Sequence, residues 1–243
     1  MIARGLLIIA LLLSGHLSAQ PLKVGVSFAI PPYVIQEQGR GIELDLLRAA
    51  FDGSEYRLDF QYLPLERTFR MLADGKLDAI INVRPGMLDG AFLSRPVIRF
   101  RNQVFTLPPF TLMSLDDLAT MRVTAFQRAT RVLGPDFAAV AARNPHYEEV
   151  AKQQTQVRQL LLGRVDAVIM EERVFHYFLD QLQPAGPLHG SRAQILAHSL
   201  FAPTLYHFAF RSAAVRDHFD RALLTMRADG RYEQIFADYD VSP

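Results

Sequence analysis

The heptapeptide Gly-basic-aliphatic-Asp-Ala-aliphatic-Ile occurs twice in this chain, as GKLDAII at 75–81 and as GRVDAVI at 163–169. A leucine-rich segment precedes the glycine in both copies. The residue order describes one junction. A helix stops on a glycine able to take a left-handed turn, a basic residue faces solvent, and an aliphatic strand enters a core. The aspartate at the strand entry can accept N–H groups of the turn. A chain that makes this junction twice contains two copies of one α/β unit.

The flanking sequence extends each copy. Leu22, Val24, Val26 and Phe28 alternate as in a strand that ends at Pro31-Pro32. Ile42, Leu46, Ala49 and Ala50 are spaced as in a helix ending at Gly53, and Tyr56, Leu58, Phe60 and Tyr62 alternate again. A short helix closed by Gly75 then leads into a third strand over 77–83. Strand-helix-strand-helix-strand predicts a parallel sheet covered on both faces. MRVTAF begins a second series, with helices expected over 130–142 and 152–162 and a strand over 165–170. The tail reads as two amphipathic helices, Val215, Phe219, Ala222, Leu223 and Met226 forming the apolar face of the first. Two extended aromatic segments, 100–107 and 205–210, lie between the units. If both join the lobes, the chain crosses over and returns, the closing helices pack on the first lobe, and the hinge opens and closes. The expected division is a signal peptide over 1–19, a first lobe of 20–104 with 206–243, and a second lobe of 105–205.

The leader reading rests on Arg4 followed by an apolar run to Leu13 and small residues up to Ala19. That run is well short of the ~20 apolar residues needed to span a bilayer. Removing Arg4 leaves as many basic residues as the 25 acidic ones, so nothing suggests a nucleic-acid partner. The chain has no cysteine, hence no disulfide and no lipid-modified N-terminal Cys, and must be held by its core alone. A soluble protein exported to a periplasm fits these bounds. No G-x-S-x-G, phosphate loop or H-E-x-x-H is present, and the seven histidines are scattered without metal-ligand spacing. These absences favour binding over catalysis, with no cofactor and no metal.

LKVGVSFAIPPYV, GIELDLLRAAF, PLERTFRMLADGKLDAII, FLSRPV, SLDDLATMRV and RADGRYEQIFADY occur in this order along the chain. Taken together they resemble the extracellular solute-binding proteins of family 3, the periplasmic receptors of polar amino-acid ABC transporters. The resemblance covers almost the whole chain after the leader. It implies an α/β fold of periplasmic-binding-protein type II, with two Rossmann-like lobes, a central cleft and two crossover strands. It implies a monomer that captures a small polar, amino-acid-like ligand for a membrane ABC permease. The alternatives are an enzyme on the same fold, resembling prephenate or arogenate dehydratases and using Glu171 as general acid or base, and a stand-alone sensory module.

The resemblance also implies site residues. Tyr33 matches the aromatic after Pro-Pro that would stack on the ligand, and Asn82 follows the third strand at the cleft. The family's carboxylate-gripping arginine falls on Met87, while Arg84 stands where a threonine is expected. Either Arg84 reaches the anion from a shifted place, or the ligand is not an ordinary α-amino acid. Thr130, with Arg128 beside it, matches the helix start that holds carboxylate, and it serves equally as an N-cap. Glu171 matches the acid that holds the ligand ammonium, in a register that Glu172 could also fill, and Arg67 with Glu66 lies on the cleft wall or in a structural role.

Overall fold

The computed structural model describes residues 20–27, 30–182 and 194–239. The expected leader and Phe28 lie outside them. In chain order the elements are β1 (Gln20–Val26), α1 (Ile42–Phe51), β2 (Tyr56–Tyr62), α2 (Leu65–Ala73), β3 (Ala79–Val83), β4 (Phe92–Leu93), β5 (Ile98–Phe100) and β6 (Asn102–Thr106). Then come β7 (Val123–Phe126), α3 (Ala129–Val132), α4 (Pro135–Arg143), β8 (Tyr147–Val150), α5 (Gln153–Leu161), β9 (Ala167–Glu171), α6 (Glu172–Leu182), β10 (Leu196–His198), β11 (Thr204–Phe210), α7 (Ala213–Asp229) and α8 (Arg231–Ala237).

They form two sheets. The first has the order β2-β1-β3-β11-β4, with β5 also on β11, and the second β10-β6-β9-β7-β8. β1 runs parallel to β2 and β3, and β7 runs parallel to β8 and β9. Each sheet accepts one long antiparallel strand beside its central pair, β11 on β3 and β6 on β9. The sheets change between Phe100 and Asn102 and again between His198 and Thr204. The aromatic segments read as links are therefore mostly strand: β6 already pairs in the second sheet at Asn102, and β11 in the first at Thr204. The crossings precede 104/105 and 205/206, because extended aromatic sequence marks a strand whether it links two sheets or lies within one, and β6 is buried along its whole length inside the second sheet.

The repeated heptapeptide does the same work twice. Gly75 and Gly163 sit at φ 69° and 64°, a region open to glycine at little cost. Leu77 and Val165 are buried immediately after them. The Asp78 N–H donates to the Lys23 carbonyl (2.8 Å), and its carboxylate accepts the Lys23 N–H (3.0 Å) and the Arg211 guanidinium (3.0 Å). The Asp166 N–H donates to the Arg122 carbonyl (2.9 Å), and its carboxylate accepts the Arg122 N–H (2.8 Å) and guanidinium (2.6 Å). Each aspartate thus ties the amino end of its own strand to the parallel neighbour, Asp78 to Lys23 within β1 and Asp166 to Arg122 just before β7, and sets their register.

The helix expected over 130–142 is two helices. Gly134, at φ 98°, separates α3 from α4, and Pro135 opens α4, where its missing N–H costs nothing. α7 packs on α1: Phe219 stacks on Phe51 and meets Phe208 and Phe210, and His218 lies on Phe51 at 5.1 Å. One apolar cluster runs from Leu22 and Val24 through Tyr33 to Phe105, Phe175 and Leu179, so the core is continuous across the crossing. Among the described residues no helix is long and apolar enough to cross a membrane.

Asp78→Ala and Asp166→Ala should each destabilise the chain by about 1–3 kcal/mol, the usual range for charge-assisted bonds to partly buried groups. The losses should add in the double variant, because the clamps share no partner. Urea unfolding of the three variants checks both statements.

Candidate functional site

The parallel strands of both sheets end in polar residues. In the first sheet Ser27 follows β1, Glu43 lies in the first turn of α1, and Asn82 and Arg84 close β3. The α1 sequence buries Ile42, Glu43, Leu44, Leu46, Leu47, Ala50 and Phe51, which carries a carboxyl group into the core side of the helix. Glu43 is fully buried. Asn82 occurs at a β-bulge: His207 faces Val83 and Ala209 faces Ile80, so Phe208 alone opposes both Ile81 and Asn82. Asn82 has φ 61°, a conformation asparagine tolerates better than most residues. The bulge aims its amide at Glu43 Oε2 (3.1 Å) and the Ser27 carbonyl (3.4 Å).

This cluster is incompletely satisfied. Ser27 Oγ, Glu43 Oε1, Asn82 Oδ1 and Arg84 Nε are buried without hydrogen-bond partners. Native structures leave few such groups, and each calls for an explanation. Burial pushes the Glu43 carboxyl up to about 8 against the opposing bond from Asn82, so at neutral pH it is chiefly the uncharged acid.

In the second sheet the strand ends carry Arg128 and Thr130 after β7, Glu149 in β8, and Glu171 at the end of β9. Arg128 adopts φ 69°, which turns its N–H and that of Thr130 toward one point. Glu149 occupies that point. Its carboxylate accepts the Arg128 N–H (2.6 Å), the Thr130 N–H (3.0 Å), the Thr130 hydroxyl (2.9 Å) and the Tyr147 hydroxyl (3.1 Å). Burial would raise this carboxyl, but the bonds from Thr130, Arg128 and Tyr147 hold it below its ordinary range. The donors expected to meet a ligand carboxylate are thus engaged by a carboxylate of the chain itself.

Glu171 accepts the Arg101 N–H (3.4 Å) and the Val174 N–H (3.1 Å). Burial pushes it up to about 7 in spite of these donors. Tyr33, from the connection between β1 and α1, is buried with its ring 4.5 Å from Phe100. Burial, and next the Glu171 carboxylate, raise its phenol well above the ordinary value. Residues from the carboxyl ends of the two sheets therefore meet at the crossing. Glu172 pairs with the Arg101 guanidinium at 2.6 Å, which separates the roles of the two adjacent acids.

Of the seven residues expected at a site, the structure brings together Tyr33 and Glu171 at the crossing, and Arg128 and Thr130 around Glu149. Asn82 and Arg84 lie on the first sheet's carboxyl edge, where Arg84 is half-buried. Arg67 is on the first turn of α2 at the same edge, exposed. Ser27, Glu43 and Glu149 were not anticipated. Glu43 had a legible signal, an acid one helical turn before Leu47 on a buried face. Glu149 had a weaker one, sharing a strand face with Tyr147. A surface recess of 320 Å³ lined by Phe69, Arg70, Asp89 and Arg211 lies at the opposite, amino-terminal edge of β3 and touches none of these groups. Among the described residues no group of three His, Cys, Asp or Glu is placed to hold a metal ion.

The fold recurs in solved structures. The ligand-binding core of GluR0 in complex with L-glutamate superposes with TM-score 0.70 at 19% identity over 92% of this chain and 99% of its own. An ancestral cationic amino-acid solute-binding protein gives TM-score 0.70 at 17% identity over 92% and 97%. An ABC uptake transporter substrate-binding protein from Streptococcus pneumoniae with bound histidine gives 0.68 at 14% over 93% and 96%. The chain therefore has the two-sheet α/β fold of type II periplasmic-binding proteins. No family model matches the sequence, and no curated protein does.

The fold accepts Glu43 and Glu171 most readily as neutral acids, whereas the unfolded chain ionises both near 4.5. Their contribution to stability is complete below that pH and is lost as pH rises through about 7 and 8. For Glu43 the loss by pH 7 is about 3 kcal/mol. Glu43→Gln should therefore melt higher than the parent at pH 8 and close to it at pH 4.5, as followed by calorimetry. Parallel melting curves across that range would contradict the buried-acid assignment.

Proposed function

We propose that the chain is a solute-binding protein that captures a small polar, amino-acid-like ligand between its two sheets. The observation that carries this reading is the polar lining of both carboxyl edges, with buried unpartnered atoms on each, Ser27, Glu43 and Asn82 on the first and Gln103 and Gln156 on the second, and with Tyr33 meeting Glu171 at the crossing. In sheets of this kind, ligands bind beyond the carboxyl ends of the strands. Two connections between the sheets allow bending while limiting swivel, and a ligand that touches both lobes favours the closed arrangement through its differential affinity. The solved structures of this fold that bind glutamate and histidine support an amino-acid-like ligand.

Ser27, Asn82 and Arg84 would contact the ligand from the first sheet. Tyr33 and Glu171 would act at the hinge, where Glu171 ties the crossing at Arg101 to the start of α6. Arg128 and Thr130 would contribute through the Glu149 carboxylate they hold, and Arg67 would border the opening. The leader reading places the protein in a periplasm, as a monomer that delivers its ligand to a membrane ABC permease. The role is binding and delivery, without cofactor or turnover.

Thermal melts against amino acids, amines and organic acids test the reading. A ligand present at 100 times its Kd should add about 2.7 kcal/mol of stability. Failure of every small polar compound to raise the melting temperature would contradict it.

A further inference from the structure

We infer that Ser27, Glu43 and Asn82 form a pocket for a cationic nitrogen of the ligand, an ammonium or guanidinium group. The inference rests on the solute-binding reading and specifies which part of the ligand the first sheet recognises.

The argument is a balance of donors and acceptors. The Asn82 amide nitrogen is engaged by Glu43 Oε2 and the Ser27 carbonyl, which fixes the amide and leaves Oδ1 as its free end. Glu43 has one oxygen engaged and Oε1 free, and the Ser27 hydroxyl is free. All three side chains are more than nine-tenths buried. The Asn82 amide oxygen can only accept hydrogen bonds, while the Ser27 hydroxyl accepts as well as donates and Glu43 becomes acceptor-only once ionised. A group that satisfies Oδ1 therefore brings a donor, and a cationic one leaves Glu43 ionised with acceptors on all three side chains. A ligand carboxylate could take the O–H groups of Ser27 and protonated Glu43 but would face the fixed Asn82 oxygen unpaired.

Charge points the same way. Asn82 is the neighbour that hydrogen-bonds Glu43, and Tyr206 on β11 is an ionisable side chain that feels both Glu43 and Arg84, the residue that follows β3. None of them pairs with Glu43 as a salt bridge. A buried carboxyl group without a cation stays neutral at a cost that a ligand cation removes. On the second sheet the comparable position is closed to anions, because Glu149 already takes the Arg128 and Thr130 donors. The free donor of the first edge, Arg84 Nε, lies two residues beyond Asn82 and is the partner for any anionic group the same ligand carries.

The test is isothermal titration calorimetry at pH 7.5 with agmatine, putrescine, L-arginine and L-citrulline, the isostere whose side chain is uncharged, beside glutarate and succinate, which carry no cationic nitrogen. At least one of the cationic compounds should bind, and arginine should bind more tightly than citrulline if both do. Glu43→Gln should weaken the cationic compound by roughly 10- to 100-fold, the range for losing a charged hydrogen-bond partner. Ser27→Ala, a small change in a folded background, should weaken it severalfold. Binding confined to glutarate or succinate, or citrulline binding that Glu43→Gln leaves unchanged, would overturn the inference while leaving a solute-binding protein. Cation binding that neither variant weakens would also overturn it. Failure of all six compounds and of the wider thermal panel would instead remove the solute-binding reading on which it rests.

Discussion

A carboxylate taken out of water needs donors, and Glu171 finds them where the chain passes between sheets. Arg101, the single residue between β5 and β6, gives Glu171 its N–H, and Val174 gives another from the first turn of α6. The Glu172 N–H then donates to the Arg101 carbonyl, and the Glu172 side chain pairs with the Arg101 guanidinium. Tyr33 reaches this point from the first sheet and packs on Phe100. The crossing is therefore a hydrogen-bonded joint and not a loose tether. Its position brings the carboxyl edges of both sheets together, which is the geometric condition for a shared site.

The two ends of the parallel strands carry different duties. At the amino ends Asp78 and Asp166 find N–H and guanidinium partners, and their bonds fix strand register. At the carboxyl ends acids sit where donors are scarce or already assigned. Glu43 is uncharged for want of a cation, Glu149 holds the donors of Arg128 and Thr130, and Glu171 is divided between two N–H groups. Stability favours satisfied polar groups, and recognition needs a few left open. The Glu149 cluster of the second sheet has met the first requirement, whereas Ser27, Glu43 and Asn82 of the first sheet keep oxygen atoms open.

Much of this was legible before any coordinates. The repeated junction, the strand alternation of β1 and β2 and the apolar face of α7 each arise from local pattern, so they survive in three dimensions. The crossings were read too late in the chain, because β6 is buried on both faces and carries no alternation to mark where the second sheet begins. Thr130 reads as a helix cap in the sequence, but the cap position is Arg128 and Thr130 lies inside α3, giving its N–H and hydroxyl to Glu149, 19 residues away on another strand. Asn82 was legible at a strand end, whereas its bulge depends on the register of β11, more than a hundred residues later. Glu43 left a signal one helical turn before Leu47, but an acid in a helix start also reads as a solvated first turn, and that reading competed with it.

The central claim is that the two sheets approach each other around a ligand by bending at the Arg101 joint and its counterpart over 199–203. The chain has no cysteine, so spin labels can be placed without background. Labels at Glu66→Cys on α2 and Gln127→Cys after β7, both exposed, report the distance between the sheets. With the compound that raises the melting temperature, double electron–electron resonance should show a distance distribution that shortens and narrows. An unchanged distribution at saturating compound would mean that the sheets do not close on a ligand.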